Sequence, residues 1–254
     1  MTLNRRSFLR NAAATTAGLA AIPEILSAAM PSAGKKKNGL ISSLNKQDVV
    51  LFQGDSITDS GREKSKQLAN SPGSFGSGYA FLAGAFLLNK YASKELLIYN
   101  RGISGNKVFQ LADRWQKDCF DLKPKLISIL IGVNDFWHML DGKYDGTVEK
   151  YENDYRQLLT LTRKMLPEGH LVIGEPFAVS GCSAVNEKWF PAFDSYRASA
   201  KKLAEEFDAV FIPYQSIFDQ AQTFAPAKFW TGDGVHPSMA GCSLMAEAWL
   251  KAVK

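Results

Sequence analysis

Residues 50–60, VLFQGDSITDS, are an apolar run that stops abruptly at Gly54, Asp55 and Ser56. A strand ending there carries a serine hydroxyl to the mouth of a sheet, a common place to keep a nucleophile. Near the C-terminus, Asp233-Gly234-Val235-His236-Pro237 sets a carboxylate three residues before an imidazole. In a tight loop this spacing lets the carboxylate accept a hydrogen bond from one ring nitrogen and leaves the other facing outwards. An imidazole fixed in one tautomer can take the proton of a serine hydroxyl and make the oxygen nucleophilic. Taken alone, Asp-x-x-His is more often a helix cap beside an exposed histidine. The Gly-Asp-Ser segment reverses that balance. The chain has three histidines, and the other two are worse placed: His138 falls where a helix starts after Asn134-Asp135, and His170 precedes an apolar run instead of following one.

Further apolar runs deliver polar or glycine-rich residues at one end. LLIYN ends at Asn100, Arg101 and Gly102; LISILI ends at Gly132, Val133, Asn134 and Asp135; LVIG ends at Glu175. Ligands of open α/β sheets collect outside the carboxyl ends of the strands, so these exits mark the expected active edge. Strands are expected at residues 49–53, 96–99, 126–131, 171–173 and 210–212, alternating with helical spacing at 79–88, 108–118, 147–165, 193–207 and 238–253. The alternation predicts a three-layer α/β/α fold around a parallel sheet of about five strands. A serine attacking a carbonyl also needs hydrogen-bond donors for the oxyanion that forms. The Ser56 amide, the Gly102 amide and the Asn134 side chain are candidates. Gly102 also reads as a turn glycine and Asn134 as a helix cap; their common place at strand exits favours the donor role.

Gly54-Asp55-Ser56, Gly102, Gly132-x-Asn134-Asp135 and Asp233-x-x-His236 resemble, in order and spacing, the four signature blocks of the SGNH (GDSL) hydrolase superfamily. The resemblance covers essentially all of the chain after the leader. It implies a flavodoxin-like fold and ester hydrolysis with Ser56 as nucleophile, His236 as base and Asp233 as its orienter. It also implies an oxyanion hole from the amides of Ser56 and Gly102 and the Asn134 side chain. The stretches FQGDSITDSGR, NRGISGN, RWQKDC, LIGVND, EPF and DGVHP are more similar to bacterial GDSL-type acetylxylan and acetyl-xylooligosaccharide esterases than to the thioesterase and lysophospholipase branch. Gly241-Cys242 departs from the Gly-His common in such sequences, in the last helix and away from the triad. The expected activity is removal of O-acetyl groups from xylan, xylo-oligosaccharide or a related glycan. The alternatives are a lysophospholipase- or thioesterase-type acyl hydrolase on the same fold, or a glycan-binding module without catalysis.

Asp55, Arg101, Trp137 and Trp230 lie beside the blocks and are candidate substrate contacts, since aromatic faces stack on sugar rings; buried or interface tryptophan is the competing reading. Residues 58–78 are rich in Ser and Gly, include Lys and Asn, and hold few large aliphatic side chains to wall an acyl tunnel. Gly76-Ser77-Gly78 lacks the third glycine of a phosphate loop, and Thr58 stands where an α/β-hydrolase elbow would end in glycine. No cofactor or metal site is expected.

Arg5-Arg6-Ser7-Phe8-Leu9 followed by an uncharged, alanine-rich stretch looks like a twin-arginine leader over residues 1–29, which predicts export to the periplasm or beyond. The apolar stretch is too short for a stable membrane anchor. Residues 30–47, with Pro31, Gly34, Lys35, Lys36 and Lys37, read as a linker, and 48–254 as the hydrolase domain. Arg5, Arg6, Arg10 and Glu24 carry +2 of the formal +5, and the lysine run accounts for the rest. The body is therefore near neutral, and nucleic-acid binding has no compositional support. Three widely spaced cysteines, Cys119, Cys182 and Cys242, give neither a disulfide framework nor a zinc spacing. The expected partner is a small-molecule or oligosaccharide ester; the oligomeric state is not readable.

Overall fold

The computed structural model describes residues 21–30 and 39–254. Five strands form one parallel sheet: β1 (Val49–Gly54), β2 (Leu97–Asn100), β3 (Leu126–Leu130), β4 (His170–Gly174) and β5 (Val210–Ile212), in the order β2-β1-β3-β4-β5. Every residue of β3, and all of β1 after Val49, is buried, as expected of strands covered on both faces. The strand order reverses at β1, between β2 on one side and β3 on the other. That is the topological switch point at which a crevice opens beyond the strand ends.

Two sets of helices cover the sheet. The pair α4 (Tyr79–Lys90) and α11 (Met239–Val253) pack together on one face; α5 (Val108–Asp118), α7 (Val148–Met165) and α8 (Ala192–Glu206) form a row on the other. A buried indole serves each layer. Trp249 of α11 packs on Phe52 with ring centroids 4.9 Å apart and donates to Ser128 Oγ of β3 at 2.9 Å. On the opposite face Trp115 of α5 donates to Thr162 Oγ1 of α7 at 2.9 Å. Each indole N–H is thereby satisfied in the interior. Cys119 and Cys242 are buried thiols, as expected of core cysteines, and Cys182 is half-buried.

Two segments near the N-terminus carry helices of their own. The helix α1 (Ala21–Ala29) lies against α9 (Tyr214–Ala221) and α11, buries Ile25 and Leu26, and receives Lys251 Nζ on the Leu26 carbonyl at 2.7 Å. The stretch read as a removable leader thus ends in a helix held by the body; its arginine pair lies outside the described residues. The stretch read as a linker contains α2 (Leu40–Ser43), and Ile41 and Leu44 are buried in the core. Its polar composition concealed these two apolar anchors; the lysine run lies outside the described residues. No helix among the described residues is long and apolar enough to cross a membrane.

Candidate active site

At the end of β1 the chain turns into the four-residue helix α3 (Ser56–Asp59). Asp55 is its cap: the side chain accepts the Ile57 N–H at 3.0 Å and is fully buried. Capping leaves Ser56 as the first helical residue, with its hydroxyl at the surface of the switch-point crevice. The Ser56 O–H donates to His236 Nε2 at 2.8 Å, and His236 Nδ1–H donates to Asp233 Oδ2 at 2.7 Å. The carboxylate beside Nδ1 fixes the tautomer and leaves Nε2 as the acceptor. Asp233 Oδ1 meanwhile accepts the backbone N–H groups of Val235 at 2.9 Å and His236 at 2.7 Å. Partial burial pushes the Asp233 carboxyl up, but the His236 backbone N–H, its ring and the Val235 N–H together outweigh it and hold the group below the usual carboxylate range.

The loop carrying Asp233 and His236 is pinned from behind by residues 179–185. Val179 N–H donates to Gly234 O at 2.7 Å and Ala184 N–H to Asp233 O at 2.9 Å. Gly234 has φ +101°, and a Cβ there would come within 2.6 Å of Val179 O, so glycine is demanded by both conformation and space.

The three candidate oxyanion donors are not equivalent. The Ser56 amide, in the first turn of α3, has no acceptor among the described residues. Asn134, in the first turn of α6 (Val133–Leu140) at the exit of β3, gives one N–H to Asn106 O at 3.3 Å and keeps the other. Gly102 does not match its expected role: its N–H already donates to Asn100 Oδ1 at 2.9 Å. Its lack of a side chain serves packing instead, because a Cβ would lie 2.4 Å from Asp59 N and 2.8 Å from Thr58 C in the helix that carries Ser56.

The expected substrate contacts separate in the same way. Asp55 is a buried cap. Arg101 is 5% exposed, stacked 5.3 Å over Tyr99 and bonded to Gln67 O at 3.2 Å. Trp230 is 4% exposed and donates its indole N–H to Ala225 O at 3.2 Å. These three side chains are committed to the interior and present no face to a substrate. Trp137 alone of the four is half-exposed, one turn along α6 from Asn134, with its ring 5.6 Å from that of Trp189.

Several residues at the site were not anticipated. Asn100, 2% exposed, donates to Thr58 O at 2.6 Å and Phe75 O at 2.8 Å while accepting from Gly102, and so ties α3 to two loops. Asp59 accepts from both the N–H and the hydroxyl of Ser104 and pairs with Lys64 at 2.8 Å, fixing the loop after Gly102. Burial pushes the carboxyls of Asp55 and Asp135 up to about 7, and each raised group keeps one oxygen with no hydrogen-bond partner. The only sequence signal for Asn100 was its place at a strand exit, where an amide can bridge loops that the sheet brings together.

The GDSL-like lipase/acylhydrolase family matches residues 52–244, and the chain belongs to that family. It is accordingly a carboxylic ester hydrolase on an SGNH-type fold. It is 34% identical over 209 residues to an acetylxylan esterase of Geobacillus stearothermophilus, covering 80% of this chain and 93% of the relative. A solved structure described as a GDSL-like lipase, from Parabacteroides merdae, is 50% identical with TM-score 0.82 over 83% of this chain and 97% of the other. A catalytic mutant of an acetylxylan esterase from Geobacillus stearothermophilus superposes with TM-score 0.75 at 29% identity, over 83% and 95% of the two chains.

Proposed function

We propose that this esterase removes O-acetyl groups from xylan fragments or a related acetylated glycan through a Ser-His-Asp acyl-enzyme mechanism. The observation that carries the reading is the unbroken relay from Ser56 Oγ through His236 to Asp233, at 2.8 and 2.7 Å, at the switch point of the sheet. As Ser56 Oγ attacks the acetyl carbonyl, its proton passes to His236 Nε2, and Asp233 stabilises the imidazolium. The carbonyl oxygen, now negative, is met by the Ser56 amide and the free N–H of Asn134. The imidazolium then protonates the departing sugar oxygen, leaving acetyl on Ser56. Water, deprotonated by His236, hydrolyses that ester and releases acetate. Acetyl as the acyl group is supported by the acetylxylan esterase relative and by the polar composition of residues 58–78. Export through the twin-arginine route is supported by Arg5-Arg6 and the uncharged stretch after them.

The test is hydrolysis across acyl lengths and sugars. Each methylene that finds an apolar pocket contributes about 0.8 kcal/mol, so a lipid hydrolase accelerates as the chain lengthens. Here kcat/KM should fall from acetyl to butyryl to octanoyl, and acetylated xylo-oligosaccharides should exceed simple aryl acetates. An octanoyl ester turned over as fast as the acetyl ester moves the chain to the lipase branch. Fast aryl acetate hydrolysis without acetate from the oligosaccharides removes the glycan.

A further inference from the structure

Arg114, in the middle of α5, bonds to chain segments that meet behind the active edge, and its side chain is 15% exposed. One carboxylate, Asp118 Oδ2 at 2.8 Å, balances its charge. Its other acceptors come from three stretches that end at the site. Nη1 also donates to Gln53 Oε1 at 3.0 Å and Arg101 O at 2.8 Å, and Nη2 approaches Gly54 O at 3.5 Å. Nε donates to Asn106 Oδ1 at 3.0 Å. Gln53 and Gly54 close β1 just before Asp55 and Ser56, Arg101 follows β2, and Asn106 lies on the loop between Gly102 and α5. A planar fork with five N–H donors can address acceptors spread in this way, and the single ammonium of a lysine cannot.

Asn106 passes this anchorage on to the oxyanion donor. It ends a turn begun at Ile103: its N–H donates to Ile103 O at 3.1 Å, and Gly105 supplies φ +80° at the third position. The side chain of Asn106 is held by Arg114, while its backbone carbonyl accepts Asn134 Nδ2 at 3.3 Å. A carboxamide carries its two N–H bonds in one plane, so the bond to Asn106 O sets where the second one points. Asn106 is 8% and Asn134 5% exposed, and burial leaves that carboxamide little room to turn.

We propose that Asn106, itself fixed by Arg114, is a positioning residue for the oxyanion donor, holding the Asn134 carboxamide with its free N–H toward the acyl oxygen. Neither Asn106 nor Arg114 touches the reacting atoms. The inference rests on the acyl-enzyme reading above, in which Asn134 meets the oxyanion. A donor aimed in advance acts most strongly in the transition state, because no reorganisation remains when the charge develops.

The experiment is a double-mutant cycle on kcat for aryl acetate hydrolysis, with Tm recorded for every variant. Asn106→Ala keeps the backbone carbonyl but releases it from Arg114. It should lower kcat about tenfold to a hundredfold, up to the cost of a misplacement of about 1 Å, with KM little changed. In the Asn134→Ala background the same substitution should cost almost nothing further in kcat, because the donor it positions is gone. Asn106→Asp, which keeps an oxygen for Arg114 Nε, should retain most of the wild-type kcat. Arg114→Lys keeps the charge beside Asp118 but loses the fork, and should reproduce the Asn106→Ala loss. Full kcat in Arg114→Lys removes Arg114 from the relay, and the Asn106 cycle holds whether or not that variant folds. A loss at Asn106→Ala that recurs in full without Asn134, or a lowered Tm with unchanged kcat, overturns the inference and makes the network a purely structural clamp. An unchanged kcat in Asn134→Ala alone overturns the oxyanion assignment itself, and the positioning role with it.

Discussion

Asn100→Ala tests whether one buried amide holds the nucleophile's helix to the rest of the active edge. The side chain makes three bonds, to Thr58 O at 2.6 Å, to Phe75 O at 2.8 Å and from Gly102 N–H at 2.9 Å, at 2% exposure. Alanine leaves two carbonyls and one N–H in the interior without these partners. Each orphan costs about 1–3 kcal/mol, so the total is about 3–9 kcal/mol, and water entering the vacated space favours the lower end. Against a typical stability of about 5–15 kcal/mol this is a large share. In urea unfolding followed by fluorescence, the variant should lose about 3 kcal/mol or more with an unchanged m-value. Activity measured well below the transition should also fall in kcat, because Thr58 belongs to the helix that begins at Ser56. A loss under about 1 kcal/mol, the net worth of a single ordinary bond, would refute the reasoning.

Asn134→Ala should lower kcat by about 10²–10³ with less change in KM, since its donor strengthens as the oxyanion forms; a change confined to KM makes it a ground-state contact. Asp233→Asn keeps an acceptor but turns an N–H toward His236 Nδ1, so steady-state kinetics should show kcat reduced by about 10⁴ through the wrong tautomer; a loss under about tenfold contradicts the assignment. Asp135 holds its proton up to about pH 7 in the folded protein but releases it near the ordinary value of 3.8 when unfolded. Between those values the folded state binds the extra proton, so stability falls as pH rises through the window. Asp135→Asn removes that share, and its Tm should decline less than the wild type's between about pH 5 and about pH 8; equal declines contradict it.

The sheet was legible because its strands are buried on both faces and read as unbroken apolar runs, so β1 and β3 could be located to within a residue at their start. The long helices were legible from their stripes; the expected 108–118 coincides with α5. What escaped detection was short or non-local. The helix α3 has four residues, too few for any period, and exists because Asp55 caps it. The helix α9 spaces Tyr214, Ile217, Phe218 and Ala221 on one buried face, but it follows Pro213 directly and is only eight residues long, too short for a firm period. At the site, the spacing of Asp233 and His236 was enough to foresee their contact, since a three-residue loop decides it locally. Gly102, Arg101 and Trp230 are not placed by the sequence, because adjacency to a strand exit leaves the direction of an N–H or a side chain unset. Asn100 turns the Gly102 amide inward, and Tyr99, Gln67 and Ala225 hold the other two inside. Those partners are distant in the chain or belong to its folded geometry, and no local pattern names them.

The measurement that bears most directly on the mechanism is covalent trapping. The native protein, incubated with a serine-directed phosphonate and digested, should show one adduct per chain on the peptide containing Ser56, in step with loss of acetate release. Ser56→Ala should take up none and turn over no ester, while its Tm stays close to wild type because the hydroxyl faces the crevice. An adduct on another serine, or full esterase activity in Ser56→Ala, would contradict the placement of the nucleophile at the end of β1.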